Sequence, residues 1–132
     1  MAPRELESKY APHVIRRSGI CVLPVHLALT LLDEAQTCGV RLRGVEAFRL
    51  FEDGRVQPAM DFSNVSYGTV EGSGVSTEFK PNLGLRYSWR NDPDVVASTQ
   101  ALMREGAEAG YAWFEVLLED PDDGHFFFTD AT

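Results

Sequence analysis

Residues that build reactive or metal-binding sites are scarce in this chain. It has two cysteines and three histidines in 132 residues, and His13, His26 and His125 stand far apart. A zinc site takes about four ligands, and a catalytic histidine needs a nucleophile and an orienting group within reach. No motif brings such groups together, and the common phosphate-loop, zinc-protease and serine-hydrolase signatures are missing. The sequence therefore predicts no metal site, no cofactor and no catalytic residue.

Long hydrophobic runs are also absent. No apolar stretch approaches the ~20 residues of a membrane-spanning helix, and the N-terminal MAPRELESKY alternates in charge, unlike a signal peptide. We therefore expect a cytoplasmic protein without membrane contact. Because cytosolic thiols stay reduced, we expect Cys21 and Cys38 to be free and packed as small hydrophobic residues. The alternative is a disulfide or a redox pair.

Positive charge is scarce in the second part of the chain. Residues 1–55 hold eight Lys or Arg against seven Asp or Glu, a balance of +1, whereas residues 56–132 hold four against thirteen, a balance of −9. An acidic half repels phosphates, so nucleic acid is not an expected partner. It attracts a basic protein and speeds the encounter. The alternative is an acidic surface that only keeps the protein in solution.

Two segments have the apolar spacing of amphipathic helices, 24–37 and 93–109. Pro24 suits the first position of the first helix, where its missing N–H has no helical partner. Gly39 is a natural C-terminal stop for that helix. Asp92 is placed to cap the second helix. We therefore predict two helices of three to five turns each.

Two Asp-Gly pairs predict hairpins, because tight hairpin turns require positive φ. Asp53-Gly54 separates two apolar runs. Asp123-Gly124 separates the strand-like YAWFEVLLE from HFFFT, which is predicted to return as its partner. Pro58 cannot donate a ladder hydrogen bond, so its strand is predicted to be an edge strand or to be bulged.

These elements predict the fold class and the domain organisation. The order is helix, hairpin, loop, helix, hairpin, which is typical of an α+β fold: a mainly antiparallel sheet built from hairpins, with two main helices packed on one face. The composition, 44% hydrophobic and 24% charged, is that of a globular protein. We predict a single domain over residues 1–132. Residues 1–17 are predicted to be a loose N-terminal lead-in, with a short helix over 1–11 as the alternative.

Residues 63–84 are predicted to form a long surface loop, with one short strand at Thr77–Lys80. The segment contains five glycines or prolines among several Ser and Asn residues, and long loops in compact domains often carry function. Three large aromatic residues border this loop. They are candidates for contacts with a partner, the alternative being core packing: Tyr67, Tyr87 and Trp89.

The segment DPDDG concentrates three carboxylates, those of Asp120, Asp122 and Asp123. It resembles a fragment of a calcium loop, but Phe126, Phe127 and Phe128 follow where such a loop needs further ligands and a late glutamate. We therefore predict a solvated turn without metal, whose charge is available to a basic partner.

The stretch GVEAFRLFEDGRVQPAMDFSNVSYG, after a leucine-rich helix, resembles the immunity protein forty family of bacterial polymorphic toxin systems. The resemblance covers residues 18–119. Its hairpin residues are Gly44, Phe48 and Gly54, its patch residues Asp61, Asn64 and Ser66, its helix residues Ser98 and Ala101, and its strand FEVLL from Phe114 to Leu118. The tryptophan of the family's patch is replaced here by Phe62 or Val65.

The resemblance implies a cytoplasmic antidote that binds and blocks a cognate toxin domain and is not an enzyme, and the acidic charge favours a basic toxin as that partner. The candidate partner-binding residues are Asp61, Asn64, Tyr67, Tyr87, Trp89, Asp122 and Asp123. The alternative is a small enzyme or small-ligand-binding domain with a pocket between sheet and helices.

Overall fold

A five-stranded antiparallel sheet, in the order β1-β2-β5-β3-β4, organises residues 1–65 and 93–129, which are the residues that the computed structural model describes. The strands are β1 Ile15–Arg17, β2 Ile20–Pro24, β3 Arg41–Leu50, β4 Val56–Val65 and β5 Trp113–Glu119. Every strand pairing is antiparallel. The predicted α+β class is therefore confirmed.

Three helices accompany the sheet: α1 Pro3–Tyr10, α2 Val25–Cys38 and α3 Pro93–Glu108. The two predicted helices are confirmed to within one residue at each end. Pro24 is the N-cap of α2 rather than its first residue, and Gly39 ends α2 in the left-handed conformation at φ 74°, which glycine adopts at little cost. The predicted cap at Asp92 lies outside the described residues.

The core lies between one face of the sheet and the helices. On β5, Phe114, Val116 and Leu118 are buried and alternate with partly exposed neighbours, as expected for a strand whose side chains point to opposite faces in turn. Against them pack Leu31 and Leu32 of α2 and Met103 of α3, each no more than 1% exposed, among the other buried residues of one continuous cluster. Because β2 and β3 flank it, β5 is an interior strand of the sheet.

The N-terminal segment is a packed helix and not a loose lead-in over residues 3–10. Leu6 is fully buried and Tyr10 is 3% exposed, and both belong to the core cluster. The hydroxyl of Tyr10 donates to Glu34 of α2, and Lys9 Nζ lies 2.7 Å from the same carboxylate. The apolar pair at i and i+4 supplies the contact with the core, since residues at that spacing share one helix face.

The β1–β2 hairpin was not predicted from the sequence. Its turn is Ser18-Gly19, with φ values of 52° and 82°, the two positive angles of a tight hairpin turn. Arg17 Nη1 donates to the carbonyl of Phe51 at 3.0 Å, although β1 and β3 are three positions apart in the sheet, about 14 Å in a flat sheet at ~4.8 Å per strand. The hairpin therefore does not lie flat beside β5 but curls over the sheet.

The second predicted hairpin forms only in part. The turn is present, with Gly124 N–H donating to the carbonyl of Asp120 at 2.8 Å, but HFFFT is not a strand and makes one isolated bridge, Glu119 to Phe126. Phe127 and Phe128 are both buried, 4% and 5% exposed. An extended strand would point consecutive side chains to opposite faces, so burying both rings ends the strand and places Phe128 at φ 63°.

Candidate protein-binding surface on strand β4

Strand β4 contains a large bulge within the stretch that carries the family resemblance. Ala59 faces Ala47 and Asn64 faces Val45, so two residue steps along β3 correspond to five along β4. Three extra residues are therefore inserted in β4. Such bulges redirect side chains and occur often beside functional sites. The predicted Asp53-Gly54 hairpin and the edge position of Pro58 are both confirmed.

The buried side chain of Ser63 stabilises the bulge. The Ser63 hydroxyl accepts a hydrogen bond from Ala47 N–H at 3.0 Å and donates to the carbonyl of Ala59 at 2.8 Å. Both backbone groups would otherwise lack the ladder partner that the bulge removes. The hydroxyl of Ser63 therefore takes the place of the backbone hydrogen-bond partners that these two groups lack.

Phe62 anchors the bulge to α3. A Cβ atom placed on Gly106 would lie 3.0 Å from Cβ of Phe62, closer than packed carbon atoms normally approach, and 3.4 Å from Cζ of Phe114. The ring of Phe62 also lies 6.0 Å from that of Tyr111, centroid to centroid. The absent side chain at Gly106 thus lets the strand and the helix approach each other.

Met60 and Asp61 are the outward-facing residues of the bulge. Met60 is 49% exposed, and Asp61 is exposed beside it. Within residues 1–63 and 96–129, whose side-chain exposure the structure describes, the exposed large hydrophobic side chains are those of Met1 and Met60. An apolar side chain and an acidic side chain are therefore exposed at consecutive positions of a segment that Ser63 and Phe62 hold in place.

The other predicted site residues fall in three places. Asn64 pairs with Val45 through the backbone of β4. Tyr67, Tyr87 and Trp89, with the predicted loop strand, lie outside the described residues. Asp122 and Asp123 lie in the turn after β5, and β3 stands between β5 and β4 in the sheet. Asp61 and the acidic turn are therefore carried by separate parts of the fold.

The carboxylate of Asp123 already has internal partners. It accepts a hydrogen bond from His125 N–H at 3.0 Å and pairs with Arg4 at 2.6 Å, and these two contacts lower the pKa of Asp123, the backbone bond having the larger effect. Asp120 is buried and accepts from Asp122 N–H at 3.0 Å. A partner would compete with Arg4 for Asp123, whereas the side chain of Asp122 is exposed.

Glu46 and Glu115 form a carboxylate pair that the sequence reading did not identify. They face each other across β3 and β5, on the side of the sheet away from the helices. Both are partly buried, and burial raises the pKa of each, while the charge of Glu115 raises that of Glu46 further. The signal in the sequence was a glutamate flanked by apolar residues within each predicted strand.

Replacing Glu46 with glutamine is expected to raise the free energy of unfolding by about 0.5 kcal/mol at neutral pH, because like charges directly opposite each other destabilise a sheet. Because folding raises the pKa of Glu46, its negative charge destabilises the native state at pH values above that pKa. Below ~4.3, the ordinary pKa of glutamate, the carboxyl is protonated in the native and unfolded states alike and this destabilisation is absent. The gain should therefore disappear on acidification through this range, as measured by urea unfolding. Glu52→Gln, at an exposed position, should show no gain, and a Glu46→Gln gain that persists in acid would contradict this account.

A cavity of about 430 Å³ opens along one edge of β5. Its lining comes from the β1–β2 hairpin, β5 and the C-terminal turn, with no residue of α2 or α3. It therefore differs in place from the pocket between sheet and helices that the alternative function predicts.

The described part of the chain contains neither a helix long and apolar enough to cross a membrane nor a group of three or more metal-ligating side chains. Cys21 and Cys38 are both free thiols in the structure, and burial raises the pKa of the Cys21 thiol. No protein-family model, no curated protein and no solved structure matches the chain. The family resemblance therefore rests on the residues quoted above.

Proposed function

We propose that this protein is an immunity protein, which neutralises a cognate bacterial toxin domain by direct contact, with the β4 bulge at the centre of the interface. The observation that carries the proposal is the position of the bulge. The three inserted residues fall in the patch that resembles the family, and they direct Met60 and Asp61 outward.

The internal support of the bulge favours a binding role. A bulge also protects an edge strand from pairing with other chains, and any twisted edge would suffice for that. Here a buried hydroxyl satisfies two backbone groups and an aromatic ring is seated against a glycine. Fixing a surface before binding lowers the ordering cost of association, which is the benefit that a tight inhibitor needs.

The exposed groups suit a basic partner. Met60 can adapt its shape to an apolar surface, and the exposed carboxylate of Asp61 would pair strongly with arginine or lysine once water is excluded. The net charge of −8 would speed the encounter with a cationic toxin domain. We propose a cytoplasmic site of action and no catalysis, since blocking a toxin requires contact alone.

Neutralisation in cells tests this proposal. Co-expression with the toxin domain encoded by the adjacent reading frame should restore growth, and the two chains should purify together as a complex. Asp61→Ala, and Met60→Ala to a lesser degree, should restore growth less well at equal expression, whereas Glu52→Ala in the same hairpin should act like the wild type. A toxin that kills equally with and without the wild-type protein would overturn the proposal.

A further inference from the structure

The hydrogen-bond ladder is interrupted along one edge of β5. At one end β2 pairs with β5 through Leu23 opposite Phe114 and Pro24 opposite Trp113. At the other end Phe127 N–H donates to the carbonyl of Leu118 at 2.9 Å. Backbone groups on a strand point to alternate edges, so the N–H and C=O of Val116 point to the same edge as those of Leu118. They fall in the interval between the two pairings.

The cavity of about 430 Å³ occupies this interval. Its volume lies within the range of small-molecule sites, roughly 300–1,000 Å³. The apolar part of its lining comes from β5 and the C-terminal turn: Val116, Leu117, Phe127 and Phe128. Aromatic and aliphatic walls around a few polar groups are the usual composition of such sites.

Two opposite charges stand at the cavity on either side of Cys21. Arg16 Nη1 donates to Cys21 Sγ at 2.9 Å and to the carbonyl of Phe128 at 3.0 Å. Glu115 Oε2 accepts a hydrogen bond from Cys21 N–H at 3.0 Å. These contacts orient both side chains. They leave further N–H groups of the guanidinium, which has five, and the second oxygen of the carboxylate for a ligand.

We propose that this cavity binds a free α-amino acid with an apolar side chain. The ligand carboxylate would pair with Arg16, whose fork of donors matches a carboxylate, and its ammonium group would pair with Glu115. Its side chain would contact Leu117 and Phe127, and the backbone of Val116 supplies one more donor and acceptor. Burial raises the pKa of the Glu115 carboxyl, and an ammonium group offsets that unfavourable burial.

The arrangement selects for a zwitterion, since a singly charged ligand leaves one of the two charges without a partner and a neutral ligand leaves both. This inference is independent of the toxin-binding proposal, because the cavity shares no residue with the β4 bulge. It would give the protein a second site, at which an amino acid stabilises the contact of the hairpin and the C-terminal turn with β5.

Titration with L-leucine and L-phenylalanine, followed by amide chemical shifts, tests the inference. Saturable shifts are expected at Val116, Leu117 and Phe127, with a dissociation constant on the order of 1 mM. N-acetyl-L-leucine, without the ammonium group, and L-leucinamide, without the carboxylate, should each bind about tenfold more weakly. The inference would be overturned if neither amino acid shifted these amides, or if the capped analogues shifted them equally.

Two variants connect the result to the named charges. Glu115→Gln keeps a side-chain oxygen for Cys21 N–H and should weaken leucine binding about tenfold, while leaving N-acetyl-L-leucine binding unchanged. Arg16→Gln should remove the preference for leucine over leucinamide. If Glu115→Gln, folded by its amide spectrum, binds leucine as tightly as the wild type, the assignment of the ammonium subsite is wrong.

Discussion

Substitution of Ser63 with alanine is expected to lower the free energy of unfolding by about 3 kcal/mol, because one hydroxyl satisfies two buried backbone groups. Ser63 is 2% exposed, and its Oγ contacts Ala47 N–H and the carbonyl of Ala59. Alanine leaves both groups without a partner in a region that excludes water. The loss should be measured by urea unfolding, with faster amide exchange at Ala47 as a local indicator.

Two controls isolate the hydroxyl. Ser8→Ala makes the same chemical change at an exposed position of α1 and should alter stability by less than about 0.5 kcal/mol. Ser63→Thr keeps the hydroxyl and should retain most of the stability. If Ser63→Ala were as stable as Ser8→Ala, the bulge would not depend on Ser63.

Phe114→Ala is expected to cost about 4 kcal/mol of unfolding free energy, the largest effect of a single substitution that we predict. Phe114 is fully buried on β5, between Leu23 of β2 and Ala47 of β3, and its ring lies under α3 at Gly106. Truncation leaves a cavity where sheet and helix meet, and closely packed neighbours fill such a cavity only in part.

The matched control is Phe114→Leu, which keeps most of the volume and should cost about 1 kcal/mol. Chemical or thermal denaturation separates the two variants clearly. Equal stability of Phe114→Ala and Phe114→Leu would mean that the site collapses without a cavity, contrary to the packing described above.

The regular elements could be predicted from the sequence because their signals are local. The apolar spacing of α2 and α3, Gly39 at the end of α2 and the Asp53-Gly54 turn each act within a few residues. Pro58 also predicted an edge strand or a bulged strand, and β4 is both. Each of these signals lies within a single element of the fold and does not depend on contacts with distant residues.

The missed features either have short local signals or depend on contacts between distant parts of the chain. The Ser18-Gly19 turn has a recognisable dipeptide, but the strands beside it are only three and five residues long. The bulge in β4 requires Gly106, more than forty residues later, to accommodate Phe62. The sequence shows three adjacent phenylalanines, but it does not show that two of them enter the core. The burial of both rings is the reason that HFFFT does not return as a strand.

The candidate site was predictable in composition and less so in geometry. Asp61 is exposed, as a contact residue must be, but no pattern identified Ser63 and Phe62 as its supports. Counting charges suggested that Asp122 and Asp123 were equally available, whereas Arg4, far away in sequence, pairs with only one of them. Long-range partners of this kind are decided by the tertiary fold.

Binding kinetics with the cognate toxin domain test the central claim, that the β4 bulge forms the interface. Desolvated anchors act mainly on dissociation and outlying charges on association. Asp61→Ala should therefore weaken binding about thirtyfold, or about 2 kcal/mol, mostly through faster dissociation. Asp122→Asn should slow association modestly, and less so at high salt. Unchanged affinity and dissociation rate in folded Asp61→Ala and Met60→Ala proteins would contradict the claim and place the interface elsewhere.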